Sequence, residues 1–176
     1  MLCTQRHVAI FVAIAISGLA AGCGRQAAPE PEVVSKEPIV LTPGNTPEAT
    51  FTAYQNAVRM QDGHALWNIF SAAAREKRRE HFAEMSTQID QCTPDDRVAM
   101  CEKLDCTPSE IRTLSPSNLF ARAIRAAPPN AFADDINATI LNTESHETYA
   151  ILSLKAGEKT RHMRFVEEDG LWKVDD

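Results

Sequence analysis

The stretch YAILSLKAGEKTRHMRFVEEDGLWKV, Tyr149 to Val174, sets the fold class. Its first part, Tyr149 to Leu154, is apolar on both faces, as a centrally placed strand should be. Met163 and Phe165 then alternate with His162 and Arg164, the two-residue period of a half-buried strand. Trp172 and Val174 close the chain in the same manner. Ala156-Gly157 and Asp169-Gly170 separate these runs, and Asp-Gly between alternating segments is a strong hairpin signal. Just upstream, Ile136, Ala138 and Ile140 also alternate with polar residues, with a turn expected around Thr143 to Ser145. The C-terminal part therefore reads as an antiparallel sheet of about four strands.

Before that sheet the period is helical. Thr46-Pro47-Glu48 opens a helix: threonine caps it, and proline sits at the first position, where its missing N–H leaves nothing unpaired. Phe51, Tyr54, Ala57 and Val58 follow at helical spacing. Asp62-Gly63 breaks that helix, and Asp62 caps a second one carrying Leu66, Trp67, Ile69 and Phe70. Ser71 starts a third, reaching about Gln88. Thr93-Pro94, Thr107-Pro108-Ser109-Glu110 and Ser115-Pro116 repeat the start signal, and Glu110 makes the second a capping box. Pro128-Pro129 ends the last helix. Helices first and antiparallel strands after them are the α+β pattern, with N-terminal helices packed on a C-terminal sheet.

The other end of the chain speaks to location. Arg6 precedes an apolar run, Val8 to Ile16, and small residues follow in Leu19-Ala20-Ala21-Gly22-Cys23, the layout of a secretory signal. The pentapeptide resembles the lipobox of bacterial lipoproteins, with Leu19 one place further from the cysteine than that family prefers. The resemblance implies cleavage before Cys23, diacylglycerol on its sulfur and an acyl chain on its amine. A spanning anchor would need about 20 consecutive apolar residues, and Ser17 and Gly18 interrupt this run. Two or more acyl chains hold a protein on a membrane at ~0.8 kcal/mol per buried methylene. Gly24, where the enterobacterial inner-membrane retention pattern has aspartate, implies an outer-membrane protein facing the periplasm.

Gly24 to Asn45 carries Pro29, Pro31, Pro38 and Pro43 among Glu30, Glu32 and Glu37, and reads as a linker. At ~3 Å per residue, fully extended, it would hold the domain up to ~65 Å from the bilayer. The alternative is an ordered arm packing through Val33, Val34, Ile39, Val40 and Leu41. The expected organisation is thus a signal peptide at 1–22, a lipidated cysteine and linker at 23–45, and one α+β domain at 46–176. The 176 residues carry a net charge of -6, which becomes -7 when Arg6 leaves with the signal. That acidity excludes general nucleic-acid binding, and membrane association is expected through the lipid on Cys23 alone.

Three pieces of the domain add a second resemblance. They are Thr46-Pro47-Glu48-Ala49 leading to Phe51 and Tyr54, then Asp62-Gly63-His64-Ala65-Leu66-Trp67, then the ending Phe165 to Val174. Together they are similar to small secreted domains of the nuclear transport factor 2-like superfamily. The resemblance implies a curved antiparallel sheet wrapping helices into a cone, often with a pocket inside. The helical middle, 91 to 127, departs from that pattern, which has a strand between the helices. Isomerases, dehydratases and non-catalytic modules share the fold, so fold alone assigns no function.

A pocket enzyme of the isomerase or dehydratase type would need a carboxylate or histidine in a dry cavity and a hydroxyl facing the developing oxyanion. Asp62, His64, Tyr54, Trp67 and Tyr149 are the residues that could supply them. Each also has a structural role to hand: a helix cap, a first-turn polar residue, core aromatics. G-x-S-x-G, G-x-G-x-x-G and P-loop patterns are absent. His81 with Glu80 and Glu84 lacks the H-E-x-x-H arrangement, and the basic run Arg75, Lys77, Arg78, Arg79 is interleaved with glutamates. Cys92, Cys101 and Cys106 are spaced C-x8-C-x4-C with no CxxC pair, so neither a metal nor another cofactor is expected. If 94 to 104 is helical, Cys92 and Cys101 stand more than about 10 Å apart, too far for a disulfide. Cys106 can fold back toward Cys101, so Cys101–Cys106 is the expected pair if one forms; buried free thiols are the alternative. The expected function is a non-catalytic envelope lipoprotein that binds a partner protein or a small apolar ligand. The pocket enzyme and a structural envelope spacer are the alternatives.

Overall fold

A computed structural model describes residue 39, residues 41–128 and residues 130–176. The expected signal peptide, the lipidation site Cys23 and nearly all of the linker lie outside the described residues.

The first six α-helices each begin where a short polar side chain can take up free N–H groups at the start. Helix α1, Pro47–Arg59, has Thr46 as cap, its hydroxyl accepting from the Ala49 N–H at 3.1 Å. Its buried side is Phe51, Tyr54, Ala57 and Val58, as the spacing predicts. Helix α2, Gly63–Ile69, is capped by Asp62, which accepts from the Ala65 N–H at 2.9 Å. Helix α3, Ala72–Gln88, is capped by Ser71 and buries only Ala74 and Phe82. The Arg78 guanidinium on α3 lies 3.7 Å from the centre of the Phe70 ring, so even its basic run lays apolar stem and charge over the core. Helices α4 (Pro94–Leu104), α5 (Pro108–Thr113) and α6 (Pro116–Ala126) all open with Thr-Pro or Ser-Pro, and α5 has the complete capping box.

Helix α6 crosses α2 closely because Gly63 has no side chain. A Cβ there would stand 2.4 Å from the Ala121 Cα. The crossing brings Phe120 onto Trp67 and Phe70, with ring centroids 5.6 and 5.8 Å apart.

The sheet is an antiparallel meander, β1 (Thr139–Ser145), β2 (Tyr149–Ala156), β3 (Lys159–Glu168) and β4 (Leu171–Val174), in the order β1-β2-β3-β4. One face carries Ala150, Leu152, Leu154, Met163, Phe165 and Val174, each no more than 1% exposed. All of these but Ala150 meet Phe51, Leu66 and Ile69 from the helices in one core. Burying each large apolar side chain contributes roughly 1.5–3 kcal/mol. The opposite face carries His162 and Arg164 in the open and a half-buried Ser153. Asp169 (φ 55) and Gly170 (φ 74) both take the left-handed conformation that a tight type I′ hairpin requires.

Several expectations are corrected. Ile136 is not in a strand: Ala133–Ile136 forms a short helix, α7, and β1 starts at Thr139. The reason is Gln55, whose Nε2 donates to the carbonyls of Asp135, Ile136 and Ala138 at 3.0, 3.3 and 2.8 Å. Carbonyls that a strand partner would have used are bound from α1 instead. Ile140 is 37% exposed, since β1 is an edge strand. Thr143 to Ser145 continue the ladder opposite Leu152 to Ala150, and the turn falls one step later, closed by the His146 N–H on the Tyr149 carbonyl at 2.8 Å. Strand β2 is central, but Tyr149, Ile151 and Ser153 on its outer face are only half-buried.

The packed region also begins before Thr46. Leu41 packs on the core, the Trp172 N–H donates to the Gly44 carbonyl at 2.9 Å, and buried Thr50 bonds both Gly44 and the Trp172 carbonyl. The last residues of the expected linker therefore lie along β4, while Ile39 is 62% exposed.

Candidate functional site

The five side chains considered for catalysis do not converge. Asp62 is engaged as the α2 cap, and His64, one residue into that helix, is exposed. Trp67 packs among core aromatics, its ring tilted at 54° to that of Phe120. Tyr149 lies on the outer face of the sheet, stacked on His146 at 4.2 Å with the Arg164 guanidinium 5.0 Å from its ring. Tyr54 is on the inner side, so the sheet itself separates the two tyrosines.

Tyr54 does belong to a polar cluster, one that the sequence reading did not contain. Its hydroxyl donates to Asp135 Oδ2 at 3.0 Å, and Asp135 is ion-paired with Arg161 of β3. The cluster joins α1, α7 and β3. Burial, followed by the charge of Asp135, holds the Tyr54 hydroxyl well above the usual tyrosine range. It keeps its proton and acts as a fixed donor, not as a base. The cluster was missed because 136 to 140 reads as a strand, which sends Asp135 to solvent. The signal available was Asp134-Asp135, a pair suited to a helix first turn.

A concave feature of the described surface lies elsewhere, along α4 and the start of α5. It is an open groove of ≈ 520 Å³ lined by Arg97, Val98, Cys101, Asp105, Cys106 and Glu110 among others. Val98 is 56% exposed on its wall. Arg122 of α6 braces the groove from behind, donating to the Asp105 carbonyl at 2.6 Å and pairing with Glu110 Oε1 at 2.8 Å. Glu110 also accepts from the Thr107 N–H and hydroxyl, and these bonds hold its carboxyl below the ordinary glutamate value. Burial pushes the Cys106 thiol up, while Arg122 partly opposes that shift. The groove wall is thus mixed: one exposed valine, two sulfurs, and charges of both signs.

Cys92, Cys101 and Cys106 are free thiols in this structure, so the expected Cys101–Cys106 bond is not formed in it. Among the described residues, no group of three or more His, Cys, Asp or Glu side chains is placed to hold a metal ion. No helix among them is long and apolar enough to cross a membrane.

No protein-family model matches the chain, and comparison with curated proteins and with solved structures gives no match.

Proposed function

We propose that this chain is a lipid-anchored module of a bacterial cell envelope, on the outer membrane facing the periplasm, which binds a partner protein and has no isomerase- or dehydratase-type site between its helices and sheet. The observation that argues against a pocket enzyme is the filled space between helices and sheet. Phe51, Leu66, Ile69, Leu152, Leu154, Met163 and Phe165 occupy it, each at most 2% exposed. The side chains that could have served an isomerase or dehydratase are a cap, an exposed histidine and aromatics on opposite sides of the sheet. The open, partly charged groove at α4 and α5 suits a polypeptide segment better than a small apolar ligand, which favours an enclosed apolar cavity. The anchor rests on the lipobox-like pentapeptide ending at Cys23.

A photo-crosslinking residue placed at Val98, compared with one at Ser153 on the outer sheet face, tests the binding reading in cells. The expected result is a discrete protein adduct at Val98 that disappears with Arg97→Glu and is absent at Ser153. Equal capture at both positions, or none at Val98, contradicts it.

A further inference from the structure

Helix α4 ends in a way that folds Cys106, just past it, back toward Cys101 in its last turn. Asp105 takes the left-handed conformation (φ 47, ψ 49), and the chain turns back on itself. The Cys106 N–H then bonds the Cys101 carbonyl at 3.0 Å, and the Asp105 N–H bonds the Glu102 carbonyl at 3.3 Å. This pair of bonds is the Schellman ending, in which the residue past the left-handed position lies against the residue in the last turn. In this structure those two positions are Cys101 and Cys106; both line the groove, and the Cys106 thiol donates to the Leu104 carbonyl at 3.0 Å. Cys92 precedes α4 and stands about 10 Å or more away along its axis.

We propose that Cys101 and Cys106 form a thiol–disulfide exchange site whose substrate is a disulfide-bearing molecule entering the α4–α5 groove. Cys101 is half-buried and Cys106 is buried, so the two have different parts. The Cys101 thiolate attacks one sulfur of the incoming disulfide. The S–S bond of that molecule breaks, its other sulfur leaves as a thiolate that takes up a proton, and a mixed disulfide remains on Cys101. Cys106 then loses its proton and attacks the Cys101 sulfur, releasing the second thiol. The protein's two thiols become one disulfide, and the incoming disulfide becomes two thiols. Arg122 donates to the Asp105 carbonyl between the two cysteines and holds the turn in place during exchange. Formation of this bond requires neither a partner protein in the groove nor the lipid anchor.

The test uses the purified full chain, oxidised glutathione as the probe, alkylation of the remaining thiols with N-ethylmaleimide, and tryptic mapping. Lys103 separates the two cysteines, so the three thiols of the α+β domain fall in the peptides Glu80–Arg97, Val98–Lys103 and Leu104–Arg112, apart from Cys3 and Cys23. The expected product is Val98–Lys103 joined to Leu104–Arg112, two hydrogens lighter than the separate peptides, with Cys92 alkylated. The same linkage is expected in Cys92→Ser. In Cys106→Ser a glutathione adduct should accumulate on Cys101, and in Cys101→Ser Cys106 should gain it at least tenfold more slowly. A linkage through Cys92, or both peptides alkylated and unlinked after oxidation, overturns the site. Equal rates of adduct formation in the two variants overturn the order of attack.

Discussion

The Tyr54 hydroxyl stands 3.0 Å from Asp135 Oδ2 and ties the first helix to the turn that leads into the sheet. The bond is almost wholly out of water on the tyrosine side, so an unpaired partner cannot turn to solvent without opening the core. Tyr54→Phe removes the donor and keeps the ring. It is expected to lower unfolding free energy by about 1–2 kcal/mol, read as a lower urea midpoint with an unchanged slope. Asp135→Ala should destabilise more, because it leaves both the Tyr54 hydroxyl and the Arg161 guanidinium without their partner. A wild-type midpoint in both variants would contradict the structural role of the cluster.

The close crossing of α2 and α6 gives a second expectation. Gly63→Ala places a methyl group 2.4 Å from the Ala121 Cα, where backbone and not a flexible side-chain end must yield. Overpacking of this kind costs roughly 1–3 kcal/mol. Thermal unfolding should shift down by several degrees, whereas an alanine at exposed Asn68 on the same helix should leave the melting temperature nearly unchanged.

How much of this was legible in the chain differs from part to part. Caps are local events, and Thr46, Asp62, Ser71, Thr93, Thr107 and Ser115 all start helices where the residues said they would. The Asp169-Gly170 hairpin is equally local, as is the inward alternation of Met163 and Phe165. Long-range effects were not legible. Gln55 takes three carbonyls eighty residues away and so converts the expected start of a strand into helix α7. Buried Thr50 draws Gly44 and Trp172 together, which extends the packed region into proline-rich sequence that reads as a tether. The groove was equally invisible, since Arg122 meets Asp105 and Glu110 only through the packing of α6 behind α4 and α5.

Acid should weaken the fold through Glu48. Its carboxylate accepts a 2.5 Å bond from the Thr143 hydroxyl of β1, and that bond is the chief cause of a carboxyl pKa below the ordinary 4.5. The folded-state pKa lies below the unfolded one, so the contribution is present above 4.5 and is lost as pH falls through the folded value. Glu110 adds a shift in the same direction. The urea midpoint is expected to decline on acidification below about pH 5, and Thr143→Val, which keeps shape and removes the hydroxyl, should flatten the decline. Superimposable acid profiles for the two proteins would contradict the assignment to Glu48.

The central claim is that a solidly packed α+β domain is carried on a membrane by lipid at Cys23. Its most direct measurement is the intact mass of the mature protein extracted from bacterial membranes, beside a Cys23→Ser variant. The account predicts a chain that begins at Cys23 and carries diacylglycerol with a further acyl chain, and a variant that lacks both lipid and membrane association. A mature chain with an unmodified Cys23, or a Cys23→Ser variant that remains on the membrane with residues 1–22 attached, would contradict it.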